Sequence, residues 1–181
     1  MTSHGDVQPS ADRQLRLDAD TQALVAHDSL HPSLSLLPAA AYQQLLIVSP
    51  RPPSAIERLV RESGGDLSAV GHLPLAATDH GYDGPLWTTD SIDPSDLTGL
   101  SMQYNRALAP LDAGHGWVLF DDFNTLLLYT TAERVVRFFD HLTQRTRTAG
   151  VRGVFTVVRD AMDDQTYASL QRFVDTEVDL R

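Results

Sequence analysis

Lysine is absent from this chain of 181 residues, and so is cysteine; all 14 basic residues are arginine. Each absence removes a class of chemistry. A phosphate-binding P-loop needs its lysine, a Schiff-base enzyme needs a lysine, and a thiolate nucleophile or cysteine-rich zinc site needs a cysteine. No run approaches the ~20 apolar residues that cross a bilayer. Met1 to Ala11 contain no apolar signal core, so the expectation is a cytoplasmic protein without membrane insertion. A Gly-x-Ser-x-Gly elbow is also missing, and with it the usual signature of a serine hydrolase.

Acid dominates what remains. Twenty aspartates and four glutamates give a formal net charge of -10. That balance argues against nucleic acid or an anionic membrane as partner, because phosphate binding is driven by clustered basic residues. An aspartate-rich, lysine-free surface resembles that of halophilic archaeal proteins. Short carboxylates hold water and ions in concentrated salt, where long lysine stems would add apolar surface. Apolar residues make up 42% of the chain, enough for one globular domain with a core of its own.

Residues 1–20 read as a mobile acidic tail and residues 21–181 as a single domain. Between 21 and 40, Pro32 and Pro38 cut an apolar stretch, which suggests a short helix or two. From residue 42 strand and helix alternate. Leu45 to Val48, Trp117 to Phe120 and Val154 to Val158 are continuous apolar runs, the mark of strands buried on both faces. Ala69 to Leu73, Pro85 to Thr88 and Thr176 to Leu180 are shorter candidates. Ser54 to Glu57 and Thr130 to Glu133 have capping-box spacing, Asp93-Pro94 has the form of a helix start, and Asp163 or Asp164 caps a further helix. The alternation predicts an α/β fold: an open, mainly parallel sheet with helices on both faces.

In such a sheet ligands sit beyond the carboxyl ends of the strands. The loop after Val48 (Ser49-Pro50-Arg51-Pro52-Pro53-Ser54) has no glycine, and its prolines delete backbone donors that would cradle a phosphate. Its remaining anion contacts are Arg51 and the helix start at Ser54. Asp121 and Asp122 close the run from Trp117 in the form of a Walker B segment, and are the candidate Mg²⁺ ligands. As a structural alternative they are a loop cap, and adjacent carboxylates would then repel, so that Asp121→Asn should be tolerated. Arg159 stands at a third strand end, with an ion pair to Asp160, Asp163 or Asp164 as its expected use. Among the seven histidines only His27 and His31 have helical metal-site spacing, and Pro32 follows at once.

With these residues placed, the chain from Gln43 onward resembles the RecA-like ATPase superfamily, and within it the archaeal relatives of the circadian-clock ATPase KaiC. Leu45 to Val48 stands where the P-loop strand would be, and Trp117 to Asp121 where Walker B would be. The resemblance implies an ATP-binding, oligomer-forming switch. The P-loop itself is missing, so what carries over is a non-catalytic, cofactor-free regulatory or interaction domain. Its partner would be another protein or a second copy. The alternative is a Mg²⁺-dependent phosphoryl-transfer enzyme using Asp121 and Asp122. A response-regulator receiver of the same size is excluded because it requires a strand-end lysine.

Overall fold

The computed structural model describes residues 14–28, 33–79 and 81–181. Among them seven strands form one sheet, every pair parallel: β1 (Gln22–His27), β2 (Leu45–Ser49), β3 (Val70–Pro74), β4 (Trp87–Thr88), β5 (Trp117–Phe120), β6 (Arg152–Val158) and β7 (Thr176–Asp179). Their spatial order is β4-β3-β2-β5-β6-β1-β7. Four α-helices cover it: α1 (Pro53–Glu62), α2 (Leu97–Leu108), α3 (Ala132–Thr148) and α4 (Asp164–Gln171). The α/β class expected from the alternation is the one observed. Among the described residues no helix is long and apolar enough to cross a membrane.

The faces follow from side-chain alternation along each strand. Leu45 and Ile47 of β2, Trp117 and Leu119 of β5 and Val154 of β6 point to one face, where Ile56 and Val60 of α1 meet them. Leu46, Val48, Val118, Phe120 and Phe155 point to the other, beneath Leu100 and Tyr104 of α2, Val135 and Phe139 of α3, and Leu170 of α4. Connections running toward the β4 edge carry their cover on the first face, and those running toward the β7 edge carry theirs on the second. That is the pattern of uniformly right-handed crossovers. A set of phenylalanines fixes α3 to the sheet: the ring of Phe123 lies 4.7 Å from that of Phe120 and 4.9 Å from that of Phe139.

Several expectations need correction. Residues 22–27 form an interior strand paired with β6 and with the edge strand β7, and the short helices expected in this region come only after it, as 3-10 turns at Ser33–Leu36 and Ala39–Gln43. Pro38 lies beyond the strand and removes no ladder bond, and Pro32 lies outside the described residues. Both polar ends of this strand are buried, and Gln22 donates through Nε2 to the carbonyls of Asp20 and Val151, each at 2.9 Å. Most of the expected tail falls outside the described residues. Its last part does not hang free: Leu15 is buried and bonds through its amide to the Leu36 carbonyl.

Helix starts shift by one to three residues. α1 begins at Pro53 with no side-chain cap; Ser54 is exposed, and Glu57 accepts a 2.8 Å bond from the Tyr82 hydroxyl instead of closing a capping box. α2 is capped by Asp96 rather than Asp93, which holds Ser95 in a turn. Thr131, not Thr130, caps α3. Asp163 caps α4, as its position suggests.

Candidate functional site

The chain reverses its direction of travel across the sheet between β2 and β5. From β2 it winds toward one edge, and from β5 toward the other. The loops after these two strands therefore part to opposite faces and leave a crevice, which is where open α/β sheets hold ligands. Asp121 and the Ser49–Arg51 turn meet in that crevice.

Alternation explains what gathers there. Along β2, β5 and β1 the positions facing α1 are apolar until the carboxyl end, and along β6 Val154 is followed on that face by Thr156. There the sequence supplies Ser49, Asp121, Thr156 and His27, all buried. Asp121 is held on the β2 side. Its Oδ2 accepts from Ser49 Oγ at 3.0 Å and from Arg51 Nε at 3.2 Å, and its amide bonds the Val48 carbonyl at 2.8 Å. Ser49 Oγ accepts in turn from the Arg51 amide at 3.1 Å. The ion pair is unequally exposed, with the Asp121 side chain 1% accessible and that of Arg51 41%.

Asp122 turns the other way. It adopts left-handed backbone angles (φ 51°, ψ 65°), unusual for a residue other than glycine. This bend swings its carboxylate toward β1, where Oδ1 lies 3.0 Å from His27 Nε2. Its amide donates to Thr156 Oγ1 at 2.9 Å. The second ring nitrogen of His27 contacts the Asp28 carbonyl. The bond from Asp122 pushes the imidazole pKa above its ordinary value of 6.5, against the opposing effect of burial. Asn124 ties the segment to β6 by accepting the Val158 amide at 3.0 Å.

The structure thus places Asp121 and Arg51 together and separates Asp121 from Asp122. The two carboxylates have different partners, so relief of repulsion gives no reason for Asp121→Asn to be harmless. Ser54, the second anion candidate, projects from α1 without joining the cluster. Arg159 pairs with Asp164 and lies 4.3 Å from the Tyr167 ring centre, away from the crevice. Among the described residues no group of three or more His, Asp or Glu side chains is arranged to hold a metal ion. His27 stands in a strand, not a helix, and His31 lies outside the described residues.

His27, Ser49 and Thr156 are the site residues that the sequence reading missed. One signal was available for His27 and Ser49: in β1 and β2, as in β5 with Asp121, the apolar alternation ends on a polar residue that faces the same way.

This arrangement defines an open, all-parallel α/β protein whose strand-end acid is engaged by the chain's own arginine and serine. The chain belongs to the DUF7504 family, a family of unknown function whose model matches residues 21–180, a span that takes in all seven strands. No curated protein matches it.

Proposed function

We propose that the chain is a non-catalytic RecA-like domain, with regulatory or protein-interaction work in place of nucleotide chemistry. The observation that carries this reading is the Asp121–Arg51–Ser49 set. A Walker B aspartate must present oxygens to a hydrated Mg²⁺ and its phosphates. Here one Asp121 oxygen already accepts from two donors of its own chain, at 3.0 and 3.2 Å, in a buried position. A cation approaching Asp121 competes with a guanidinium that is held by geometry and never deprotonates.

The strand inventory supports the same reading. The sheet's first strand in chain order is β1, so two loops compete for the place of the phosphate loop. The loop after β2 has no glycine. The segment after β1, Asp28-Ser29-Leu30-His31-Pro32, has none either, and neither contains a lysine. Whichever loop is compared, the glycines and the lysine of a phosphate loop are missing from its sequence.

Titration calorimetry with Mg·ATP and Mg·GTP tests this. No heat of binding is expected; a dissociation constant of micromolar order would overturn the reading and restore Asp121 and Asp122 to the phosphoryl-transfer role.

A further inference from the structure

On the face opposite α1, α2 and α3 run side by side in the same direction. Two bonds fix their register: Ser101 Oγ to His141 Nε2 at 3.1 Å, and Arg145 Nε to Asn105 Oδ1 at 3.1 Å. Each pair is separated by 40 positions in sequence, one helical turn from the next. Between the helices toward their N-terminal ends lies an open groove of about 480 Å³. Its floor is apolar, with Leu97, Met102 and Phe138, and Met102 is 61% exposed. Its wall carries the guanidinium groups of Arg134 and Arg137, with His141 beside them.

The charge of this groove is out of keeping with the chain. The protein carries 24 carboxylates against 14 arginines, yet no acidic residue lines the groove. Arg134 makes no ion pair among the described residues, and Arg137 is engaged only by the exposed neighbour Glu133. Such an exposed pair contributes little and exchanges readily for another carboxylate. Arg134, Arg137, His141 and Arg145 recur at spacings of three, four and four along α3, which keeps them on one side of the helix for about 16 Å.

We propose that this groove receives an acidic amphipathic helix of a protein partner, with apolar side chains on Leu97, Met102 and Phe138 and carboxylates on Arg134 and Arg137. It rests on the protein-interaction reading above and gives that reading a surface and a partner chemistry. Apolar anchors would supply the affinity, while the arginines select for acid and steer the approach.

A fluorescein-labelled helical peptide of about 15 residues, leucine on one face and glutamate on its flanks, serves as the probe in anisotropy titrations with the full chain. Saturable binding is expected, weakened by about tenfold or more in Arg134→Glu/Arg137→Glu and in Met102→Asp, and unchanged in Arg172→Glu on the far side of α4. The same peptide with glutamine for glutamate should bind more weakly, and with lysine not at all. Circular dichroism checks that each variant is folded, and Arg134→Gln/Arg137→Gln gives a milder second test.

Absence of binding, equal binding of the lysine peptide, or indifference to the groove variants would overturn the proposal. So would a homodimer in sedimentation that Arg134→Glu/Arg137→Glu dissolves, because the occupant would then be a second copy. Displacement of the peptide by single-stranded DNA would overturn it as well. The calorimetry with Mg·ATP is separate: nucleotide binding beside intact peptide binding sinks only the lost-nucleotide reading, and peptide failure without nucleotide binding sinks only the groove.

Discussion

His27 is buried 3.0 Å from a carboxylate, a contact that ties β1 to the segment after β5 at the carboxyl edge. Its pKa is raised in the folded chain, chiefly by the bond to Asp122. A group raised in this way stabilises fully below its unfolded pKa, and the contribution is lost as pH climbs through the folded value. The melting temperature should therefore fall as pH rises above about 6.5. In His27→Gln that slope should flatten, and melts at constant ionic strength would show it; an identical slope in the variant would place the titration elsewhere. Arg51→Ala leaves Asp121 buried without its cation. Because Arg51 is itself two-fifths exposed, solvent makes up part of the loss, and a cost of about 1–2 kcal/mol in denaturant unfolding is expected. No change would mean that Ser49 alone satisfies Asp121. The acid pair and Arg51 were legible in the sequence because strand-end carboxylates and a proline-bounded arginine stand out locally. Their partners were not, since Ser49 lies 72 positions from Asp121 and His27 lies 95 from Asp122. Such pairings follow from strand order, which local pattern does not contain.

The seam between β1 and β6 is closely packed at Gly153. Gly153 pairs with Gln22, and a Cβ at Gly153 would sit 2.0 Å from Gln22 Oε1 and 2.8 Å from the Phe155 ring. Gln22 is fully buried and cannot swing into solvent. Gly153→Ala should destabilise the fold by about 1–3 kcal/mol, the range of overpacked cores. Adding Gln22→Ala should recover part of that loss, since the clash and the amide leave together; a strictly additive double mutant would show that the crowding comes from Phe155. Strands with long apolar runs, β2, β5 and β6, were legible from composition alone, and so were α3 from its spacing and α4 from its spacing and its cap at Asp163. β1 was not. Its apolar stretch is the four residues Ala23 to Ala26, its ends are Gln and His, and two prolines downstream suggested a broken helix. Burial of polar strand ends, held by Gln22 to Val151 and by His27 to Asp122, is a tertiary fact. The helix starts were misjudged for a related reason: several Asp, Ser and Thr residues near each start had capping chemistry, and packing chose among them.

Charge acts on the molecule as a whole. A net charge of -10 on 181 residues opposes compaction, and salt sets how far that repulsion reaches. The Debye length contracts from about 30 Å at 0.01 M to about 3 Å at 1 M. Circular dichroism melts across a KCl series should rise with salt, and a flat series would count against an acidic surface adapted to brine.

The placement of β1 has a consequence for synthesis. Gln22 bonds to Val151 and Asp175, 129 and 153 positions later. On a ribosome adding roughly 5–20 residues per second, this strand waits on the order of ten seconds or more before its neighbours exist. In that interval a fully apolar centre, Ala23 to Ala26, has no ladder to join. The half-sheet of β2, β3 and β4 can be laid down early from adjacent chain, but the side containing β1 closes only when the last strand emerges. Nascent chains arrested before β6 should accordingly be protease-sensitive and dependent on chaperones, and protection should appear late and abruptly rather than strand by strand.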